Sequence, residues 1–285
     1  LRQNKIKNIC IDTEGAQVRT LRTKKRYIKI NSKIELSCTY KTKKNIIQLY
    51  PKFSFKKIKV KSKISIGFNG LKLETIKITD EKLYCKVIQS GYLESNKGVH
   101  IHSELKLDPL TQKDIKAIEI AKKFDVKIFA LSFANSDTDV TLIKKITPKK
   151  SIIISKIETK KGLLNRFKIT KISDAILIDR GDLSRYVEIP KIPLAQRLII
   201  NDAKKLSKNV YVATNLLETM INQNEPTRAE SNDIFSSLEM GSDGLVLAAE
   251  TAIGKYPKEC INFLKKSIKI FNNRKRFKLN NNLFF

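Results

Sequence analysis

From about Asp108 onward, short apolar runs rich in β-forming residues alternate with helical patterns. The runs cover residues 126–133, 151–157, 175–178, 210–214 and 244–247, with one helical pattern between each. An earlier run, Ile6 to Asp12, is of the same kind. Strands that alternate with helices in this way form a parallel sheet covered by helices. This alternation predicts an α/β protein of the TIM-type (β/α) barrel class.

Three helix starts are marked by their first residues. Thr111 is followed three residues later by Asp114, in a spacing that resembles a capping box. Pro193 and Pro257 stand where a proline fits the first turn of a helix, ahead of apolar residues at helical spacing. We therefore predict helices that begin near these three positions.

The stretch from Arg22 to about Ser103 has a different pattern, because its apolar residues alternate with lysines at period two. Examples are 57–60, 63–66 and 71–78. Such alternation is typical of strands with one buried face, so we expect a small all-β lid domain inserted into the barrel. The predicted domains are residues 1–21 as the first part of the (β/α) barrel, 22–104 as the inserted β-barrel-like lid domain, 105–275 as the remainder of the barrel and 276–285 as a disordered tail.

Charge, cysteine content and hydropathy limit the setting in which the chain works. The 57 basic and 28 acidic residues give a formal net charge of +29, but lysine is abundant from end to end rather than in one stripe. We therefore do not expect nucleic acid as a partner. The four cysteines are scattered without metal-ligand spacing, which fits a reducing, cytoplasmic location. Every apolar run is far shorter than the roughly 20 residues that cross a bilayer, so no membrane association is expected.

The candidate active site lies at the carboxyl ends of the predicted strands, where (β/α) barrels collect catalytic groups. Lys156 and Glu158 end one apolar run, and Asp182 follows the next. Adjacent strands lie about 5 Å apart, so the two carboxylates are close enough to hold one Mg²⁺. The alternative is that Lys156 and Glu158 only form ion pairs at the rim. Gly181 favours the metal-site interpretation, because its backbone would allow a ligand to approach closely.

These residues belong to segments whose order and spacing resemble the pyruvate kinase family. The catalytic segments are Ser155-Lys156-Ile157-Glu158 with Gly162, and Ser173 to Leu183 with its Arg180-Gly181-Asp182-Leu183. Further segments that resemble the family are 11–20, 97–99, 131–133, 212–220, 226–230 and 250–257. The resemblance extends over nearly the whole chain in one order, which makes chance similarity a poor explanation.

The resemblance implies phosphoryl transfer from phosphoenolpyruvate to ADP, giving pyruvate and ATP, with Mg²⁺ or Mn²⁺ as cofactor and K⁺ as a further cation. Lys156 would offset charge on the transferring phosphoryl group, and Thr214 would lie near the carbon that receives the proton. Gly181 would bind the substrate carboxylate through its backbone. The resemblance also implies a homo-oligomer. It assigns the remaining site residues as follows: catalytic Arg180; nucleotide-facing Arg19; divalent-metal ligands Glu158 and Asp182; monovalent-cation site Asp12 and Thr13.

The chain also departs from the family pattern. The first two βα units of the family have no counterpart, so we expect a barrel that is incomplete at the N-terminus, with upstream sequence missing or another chain closing the gap. The family's C-terminal regulatory domain has no counterpart either. Glu14 stands where the family has lysine, and Phe68-Asn69-Gly70 replaces an acidic pair in the lid. These changes affect the nucleotide side and spare the metal side.

Three hypotheses about function are consistent with a changed nucleotide side and an unchanged metal side. The first is a pyruvate kinase-like phosphotransferase. The second is a related barrel enzyme that acts on a phosphoenolpyruvate or pyruvate enolate without ADP, as a lyase or in pyruvyl transfer. The third is a non-catalytic basic binding protein, which the charge of +29 suggests.

Overall fold

The computed structural model describes residues 8–39, 46–67, 70–103 and 105–273. The chain divides into two compact units. The sheet unit comprises Leu1–Thr13 and Lys116–Phe285, and the β-barrel unit comprises Glu14–Ile115. No helix within the described ranges is long and apolar enough to cross a membrane.

Strands and helices are numbered along the chain. The strands are β1 (Cys10–Asp12), β2 (Val18–Thr20), β3 (Arg26–Ile28), β4 (Lys33–Ser37), β5 (Ile46–Tyr50), β6 (Lys63–Ile66), β7 (Leu71–Ile78), β8 (Lys82–Gln89), β9 (Gly91–Leu93), β10 (Gly98–Ile101), β11 (Ile128–Leu131), β12 (Ile152–Ile157), β13 (Ala175–Asp179), β14 (Asn209–Ala213) and β15 (Gly244–Val246). The α-helices are α1 (Gln112–Lys123), α2 (Asp137–Ile146), α3 (Lys160–Leu164), α4 (Arg166–Ile172), α5 (Arg180–Leu183), α6 (Ile192–Lys205), α7 (Arg228–Glu239), α8 (Ala249–Ala252) and α9 (Pro257–Asn273). Short 3₁₀ helices cover Ile189–Lys191 and Glu218–Ile221.

The sheet unit is built on one parallel sheet. Among the described residues, six strands pair in the order β1-β11-β12-β13-β14-β15, and helices connect β11 to β15. The central strands are apolar over most of their length, with Ile153, Ile176 and Val212 fully buried, as expected for strands covered on both faces. The predicted fold class is therefore confirmed as an incomplete TIM-type barrel, an open six-stranded sheet rather than a closed one.

The predicted strands and helix starts agree with this sheet. The run 126–133 contributes only β11, and Phe133 beyond it has a left-handed φ of 54°. The predicted strand 6–12 is described only from its C-terminal part, because Ile6 lies outside the described residues. Helix α6 begins at Ile192 with Pro193 in its first turn, and α9 begins at Pro257, so both proline predictions are confirmed.

The β-barrel unit confirms the predicted all-β module. Its strands close in the order β10-β2-β5-β4-β8-β7-β6, and β3 pairs separately with β9. Leu36, Leu49 and Leu73 are fully buried in its core. Strand β2 pairs with β5 and β10, so residues 18–20 hydrogen-bond within this unit, although the predicted boundary at residue 22 placed them with the (β/α) barrel.

One predicted strand of this module is wrong. Residues 57–60 are not in a strand, and the Ile58 N–H donates to the Phe55 carbonyl at 2.9 Å, which closes a turn over residues 55–58. Phe55 and Ile58 are both buried, whereas Val60 is exposed. The apolar spacing that suggested a strand therefore comes from a turn anchored in the core. The predicted tail, 276–285, and the lid residues Phe68 and Asn69 lie outside the described residues.

The predicted start of α1 is confirmed by the contacts of Asp114. Its Oδ2 accepts hydrogen bonds from the Thr111 N–H at 2.7 Å and the Thr111 hydroxyl at 2.9 Å, and the Asp114 N–H donates to Thr111 Oγ1 at 3.2 Å. The same carboxylate accepts from the backbone N–H groups of Glu14 at 2.6 Å and Gly15 at 3.2 Å. The buried carboxylate thus ties the turn after Thr13 to the first turn of α1.

We predict that Asp114→Ala lowers the free energy of unfolding by about 2–4 kcal/mol, because it leaves several buried donors without an acceptor. Urea unfolding followed by far-ultraviolet circular dichroism measures this change. Glu119→Ala, an exposed carboxylate on the same helix, is the control and should change stability by less than about 0.5 kcal/mol. Equal stability of the two variants would contradict the structural role of Asp114.

Candidate functional site

Polar side chains from three strand ends meet at one edge of the sheet unit. Lys156 lies in β12 and Glu158 directly follows it, Asp179 ends β13, and Asp12 ends β1. Register pairs Lys156 with Leu177 and Asp179 with Ala213, so successive strands reach this edge together. Parallel strands place all their carboxyl ends on one side, which is why residues so distant in sequence come into contact.

Lys156 is the central cation of this cluster. Its Nζ lies 3.1 Å from Glu158 Oε1, 3.2 Å from Asp12 Oδ2 and 3.8 Å from Asp179 Oδ2, and its side chain is 10% exposed. Burial lowers the pKa of the Lys156 ammonium, and the three neighbouring carboxylates raise it by more. The net effect is a pKa above the ordinary value of lysine, so this group is positively charged at neutral pH.

Glu158 is the most buried carboxylate of the cluster. Its Oε2 accepts a hydrogen bond from the Phe133 N–H at 2.5 Å, whereas Oε1 has the ion pair with Lys156 and no hydrogen bond. Burial raises the pKa of Glu158 to about 8, because the charged form loses its hydration. The carboxylates of Asp179 and Asp182 add to this rise, and the Lys156 ammonium opposes it.

The segment after β12 is held in place by close packing. Gly162 donates its N–H to Thr159 Oγ1 at 2.9 Å, which starts α3 two residues beyond Glu158. A Cβ at Gly162 would lie 2.5 Å from the Ala134 carbonyl oxygen. Glycine is therefore required at this position, and the turn that carries Glu158 packs directly against the loop after β11.

Three carboxylates form the acidic part of the site. Glu158, Asp179 and Asp182 each place an oxygen within 4.8 Å of the others. The structure thus brings together the predicted pair, Glu158 and Asp182, and adds Asp179, which lies in the segment 173–183 but was not predicted as a site residue. The signal for Asp179 was its position at the end of an apolar run, the same signal that marked Glu158.

Asp179 and Thr214 are joined in one hydrogen-bond network. Asp179 Oδ1 accepts from the Asp182 N–H at 3.2 Å and is 3.2 Å from Thr214 Oγ1. Thr214 Oγ1 also accepts from the Gly181 N–H at 2.9 Å and lies 2.6 Å from the Ala213 carbonyl oxygen. Thr214 itself has a left-handed φ of 67°. This backbone turn at the end of β14 directs its hydroxyl toward α5.

Two arginines lie beside these carboxylates. Arg180 forms an ion pair with Asp233 of α7, in which Nη1 lies 2.8 Å from Oδ1 and 2.6 Å from Oδ2, and it donates through Nε and Nη2 to the Thr214 carbonyl. Arg185, which the sequence analysis did not include in the site, places Nε 3.2 Å from Asp182 Oδ1, and its side chain is 11% exposed. Arg180 therefore supports the backbone of Thr214, whereas Arg185 neutralises a predicted metal ligand.

The remaining predicted residues occupy different surroundings. Asp12 is exposed by 59% and accepts from the Ser132 hydroxyl at 2.9 Å. Thr13 is buried, and its hydroxyl donates to the Ala130 carbonyl at 3.1 Å and accepts from the Ser132 N–H at 3.0 Å. Arg19 belongs to the β-barrel unit, where its Nη1 donates to the Asn96 carbonyl at 3.3 Å.

The donor set fits a hard divalent cation. Carboxylate oxygens are the ligands that Mg²⁺ and Mn²⁺ prefer, and three of them converge here. Glu158 Oε1 is buried without a hydrogen bond, so one ligand position is already desolvated. With all groups ionised, the carboxylates of Asp12, Glu158, Asp179 and Asp182 outnumber the cations Lys156 and Arg185 by two charges, which one divalent ion would neutralise. Lys156 beside them would attract an anionic substrate.

Comparisons with known proteins show the family of this chain. The family model described as pyruvate kinase, barrel domain, matches residues 2–261. The pyruvate kinase of Thermotoga maritima is 36% identical over 278 residues, covering 94% of this chain and 60% of the relative. The pyruvate kinase of Borreliella burgdorferi is 32% identical over 284 residues, covering 97% of this chain and 60% of the relative. The chain thus spans about three fifths of the length of these curated relatives.

A solved structure is similar in fold. The crystal structure of Cryptosporidium parvum pyruvate kinase superposes with a TM-score of 0.83 at 29% sequence identity. The superposition covers 91% of this chain and 57% of the other.

The raised pKa of Glu158 predicts how stability changes with pH in a divalent-free buffer. The folded protein retains the Glu158 proton up to about pH 8, whereas the unfolded chain loses it near the ordinary value of 4.5. This group's contribution is therefore complete below the unfolded pKa and is lost as pH rises toward 8, by about 1 kcal/mol for each pH unit. Glu158→Gln should remove that slope from urea-unfolding free energies measured between pH 5 and 8.

Glu239→Gln, which changes an exposed carboxylate of α7, is the control for this comparison. It should retain the pH dependence of the unchanged protein. Parallel pH profiles for Glu158→Gln and the unchanged protein would contradict the raised pKa.

Proposed function

Because this chain belongs to the pyruvate kinase family, we propose that it transfers the phosphoryl group of phosphoenolpyruvate to ADP in a reaction that requires a divalent cation. The products would be pyruvate and ATP. The observation that best supports this proposal is the convergence of Lys156, Glu158 and Asp182 at one edge of the sheet. A buried ammonium beside carboxylates suits the transfer of a strongly anionic group.

Glu158 and Asp182 would hold Mg²⁺ or Mn²⁺, and Asp12 and Thr13 would contribute to a K⁺ site. A bound divalent ion would neutralise charge on substrate oxygens. The fully buried Glu158 would exchange its proton for the cation, since metal ligation requires the carboxylate form. Ion pairs to Lys156 and Arg185 orient the two ligands.

Lys156 would act on the transferring phosphoryl group. Its ammonium is nine-tenths buried and surrounded by carboxylates, so its direction is fixed before substrate arrives. A charge placed in advance stabilises the transition state without reorganisation of water. This supports Lys156 as the principal electrostatic residue of the reaction.

Thr214 would provide the hydroxyl near the enolate carbon that receives a proton. Its Oγ1 is positioned by the Gly181 N–H and by Asp179. Arg180 would act through Thr214, because its guanidinium is engaged with Asp233 and with the Thr214 carbonyl. We therefore assign Arg180 as a positioning residue, whereas the sequence analysis had counted it as catalytic.

The other assignments also remain proposals. The Gly181 backbone would bind the substrate carboxylate, and Arg19 would face the nucleotide. The module at residues 22–104 would act as a lid that excludes water during transfer. We further propose that the protein forms a homo-oligomer in the cytoplasm.

We predict that Lys156→Met lowers kcat for pyruvate formation about 10²- to 10³-fold, because the variant loses the charge that faces the phosphoryl group. A continuous assay with phosphoenolpyruvate, ADP and Mg²⁺, coupled to NADH oxidation by lactate dehydrogenase, measures the rate. Lys144→Met, at an exposed ion pair with Asp174, should leave kcat unchanged within about twofold. Pyruvate formation by the unchanged protein that is no faster than that by Lys156→Met would contradict the proposal.

A second candidate function, enolate chemistry without ADP, is favoured by Glu14. This carboxylate stands where the family has lysine, is partly buried and pairs with Lys113 at 3.2 Å. Negative charge there would repel nucleotide phosphates if it faces them.

Calorimetric titration distinguishes the two functions, with oxalate as an analogue of the pyruvate enolate and Mg²⁺ present throughout. We predict that both oxalate and ADP bind. Binding of oxalate without ADP would favour the second function and would contradict the kinase proposal.

A further inference from the structure

We infer that Asp179 is the third carboxylate of the divalent-cation site and that its charge sets how tightly the site holds the cation before substrate arrives. This inference rests on the proposed function, because it concerns the same cation. It goes beyond that proposal by assigning a residue outside the predicted ligand pair.

The geometry places Asp179 close to both predicted ligands. It contributes an oxygen within 4.8 Å of those of Glu158 and Asp182. Its Oδ1 is used by the Asp182 N–H and by Thr214 Oγ1, whereas Oδ2 faces the Lys156 ammonium at 3.8 Å. Its side chain is 13% exposed, so water screens this charge only weakly.

Charge balance gives Asp179 a specific role. Glu158 is paired with Lys156 at 3.1 Å, and Asp182 is paired with Arg185 at 3.2 Å, so both predicted ligands already have a cationic neighbour. At 3.8 Å, Asp179 is more distant from Lys156 than Glu158 is. Its carboxylate is therefore a source of excess negative charge inside the cluster. That excess attracts a divalent cation.

The buried oxygen Oε1 of Glu158 has an ion pair with Lys156 but no hydrogen bond. Buried polar atoms nearly always have one. Both this oxygen and Asp179 Oδ2 lie around the Lys156 ammonium, at 3.1 and 3.8 Å. A cation held near this group would complete the surroundings of Glu158 Oε1.

A third carboxylate has opposite effects on cation and substrate. Each added negative group strengthens the binding of a hard divalent ion. The same charge reduces the positive potential that an anionic substrate meets at the loaded site. Asp179 would thus favour a cation that remains bound between turnovers.

The test is titration of the full chain with Mn²⁺ alone at pH 8, with free Mn²⁺ followed by electron paramagnetic resonance. Asp179→Asn retains an oxygen for the Asp182 N–H and for Thr214 but removes the charge. We expect it to weaken Mn²⁺ binding roughly tenfold. The control is Asp174→Asn at the opposite end of β13, roughly 16 Å away along the strand, where Kd should change less than twofold.

Asp179→Glu distinguishes the effect of charge from the effect of the hydrogen bond to the Asp182 N–H, because it keeps the carboxylate and alters the turn at the start of α5. We expect it to bind Mn²⁺ more tightly than Asp179→Asn does. Equal weakening in both variants, or an unchanged Kd in Asp179→Asn, would overturn the inference and leave the proposed function intact. Absence of Mn²⁺ binding to the unchanged chain would overturn both. Circular dichroism confirms that each variant is folded.

Discussion

The buried ion pair between Lys156 and Glu158 is the interaction around which the site is organised. Taking the Lys156 ammonium out of water costs several kcal/mol, as does taking out the Glu158 carboxylate when it is ionised, and a single contact at 3.1 Å recovers this only with further hydrogen bonds and neighbours. Those neighbours are present: the Phe133 N–H on Glu158, and the carboxylates of Asp12 and Asp179 on Lys156. The apolar strands beneath can tolerate the pair because its surroundings compensate its burial.

The sheet makes this compensation possible. The carboxylates beside the pair come from other strand ends, Asp12 from β1 and Asp179 from β13, and the parallel register brings β1, β12 and β13 to the same edge. Tight packing then fixes the loops, as at Gly162, where a single added carbon would collide with a carbonyl oxygen of the neighbouring loop. Rigid elements hold charged side chains within narrow limits, which is what electrostatic catalysis requires.

Much of this arrangement was predictable from sequence, because alternation of strands and helices predicts a parallel sheet, in which the carboxyl ends of the strands lie along one edge. Glu158 and Asp182 were predicted together since they end successive apolar runs, and the structure places them in one cluster. Arg180 was placed in the catalytic site by resemblance, but its surroundings depend on Asp233, 53 residues farther along. Asp179 was left out because its importance comes from Thr214 and Lys156, contacts that no local pattern encodes. The strand prediction at 57–60 was wrong for the converse reason. The apolar spacing there resembles that of a strand, but it comes from a turn whose apolar side chains are buried in the core.

The hydroxyl of Thr214 has one proton and two acceptors within reach, the Asp179 carboxylate at 3.2 Å and the Ala213 carbonyl at 2.6 Å. The hydroxyl can donate its proton to only one acceptor at a time, so the Thr214 O–H bond has two orientations. The negative charge of Asp179 favours the orientation toward its carboxylate, because a charged acceptor attracts the proton more strongly than a neutral one. Binding or release of a cation beside β13 would therefore change the direction of the Thr214 O–H bond at the end of β14, without movement of the backbone.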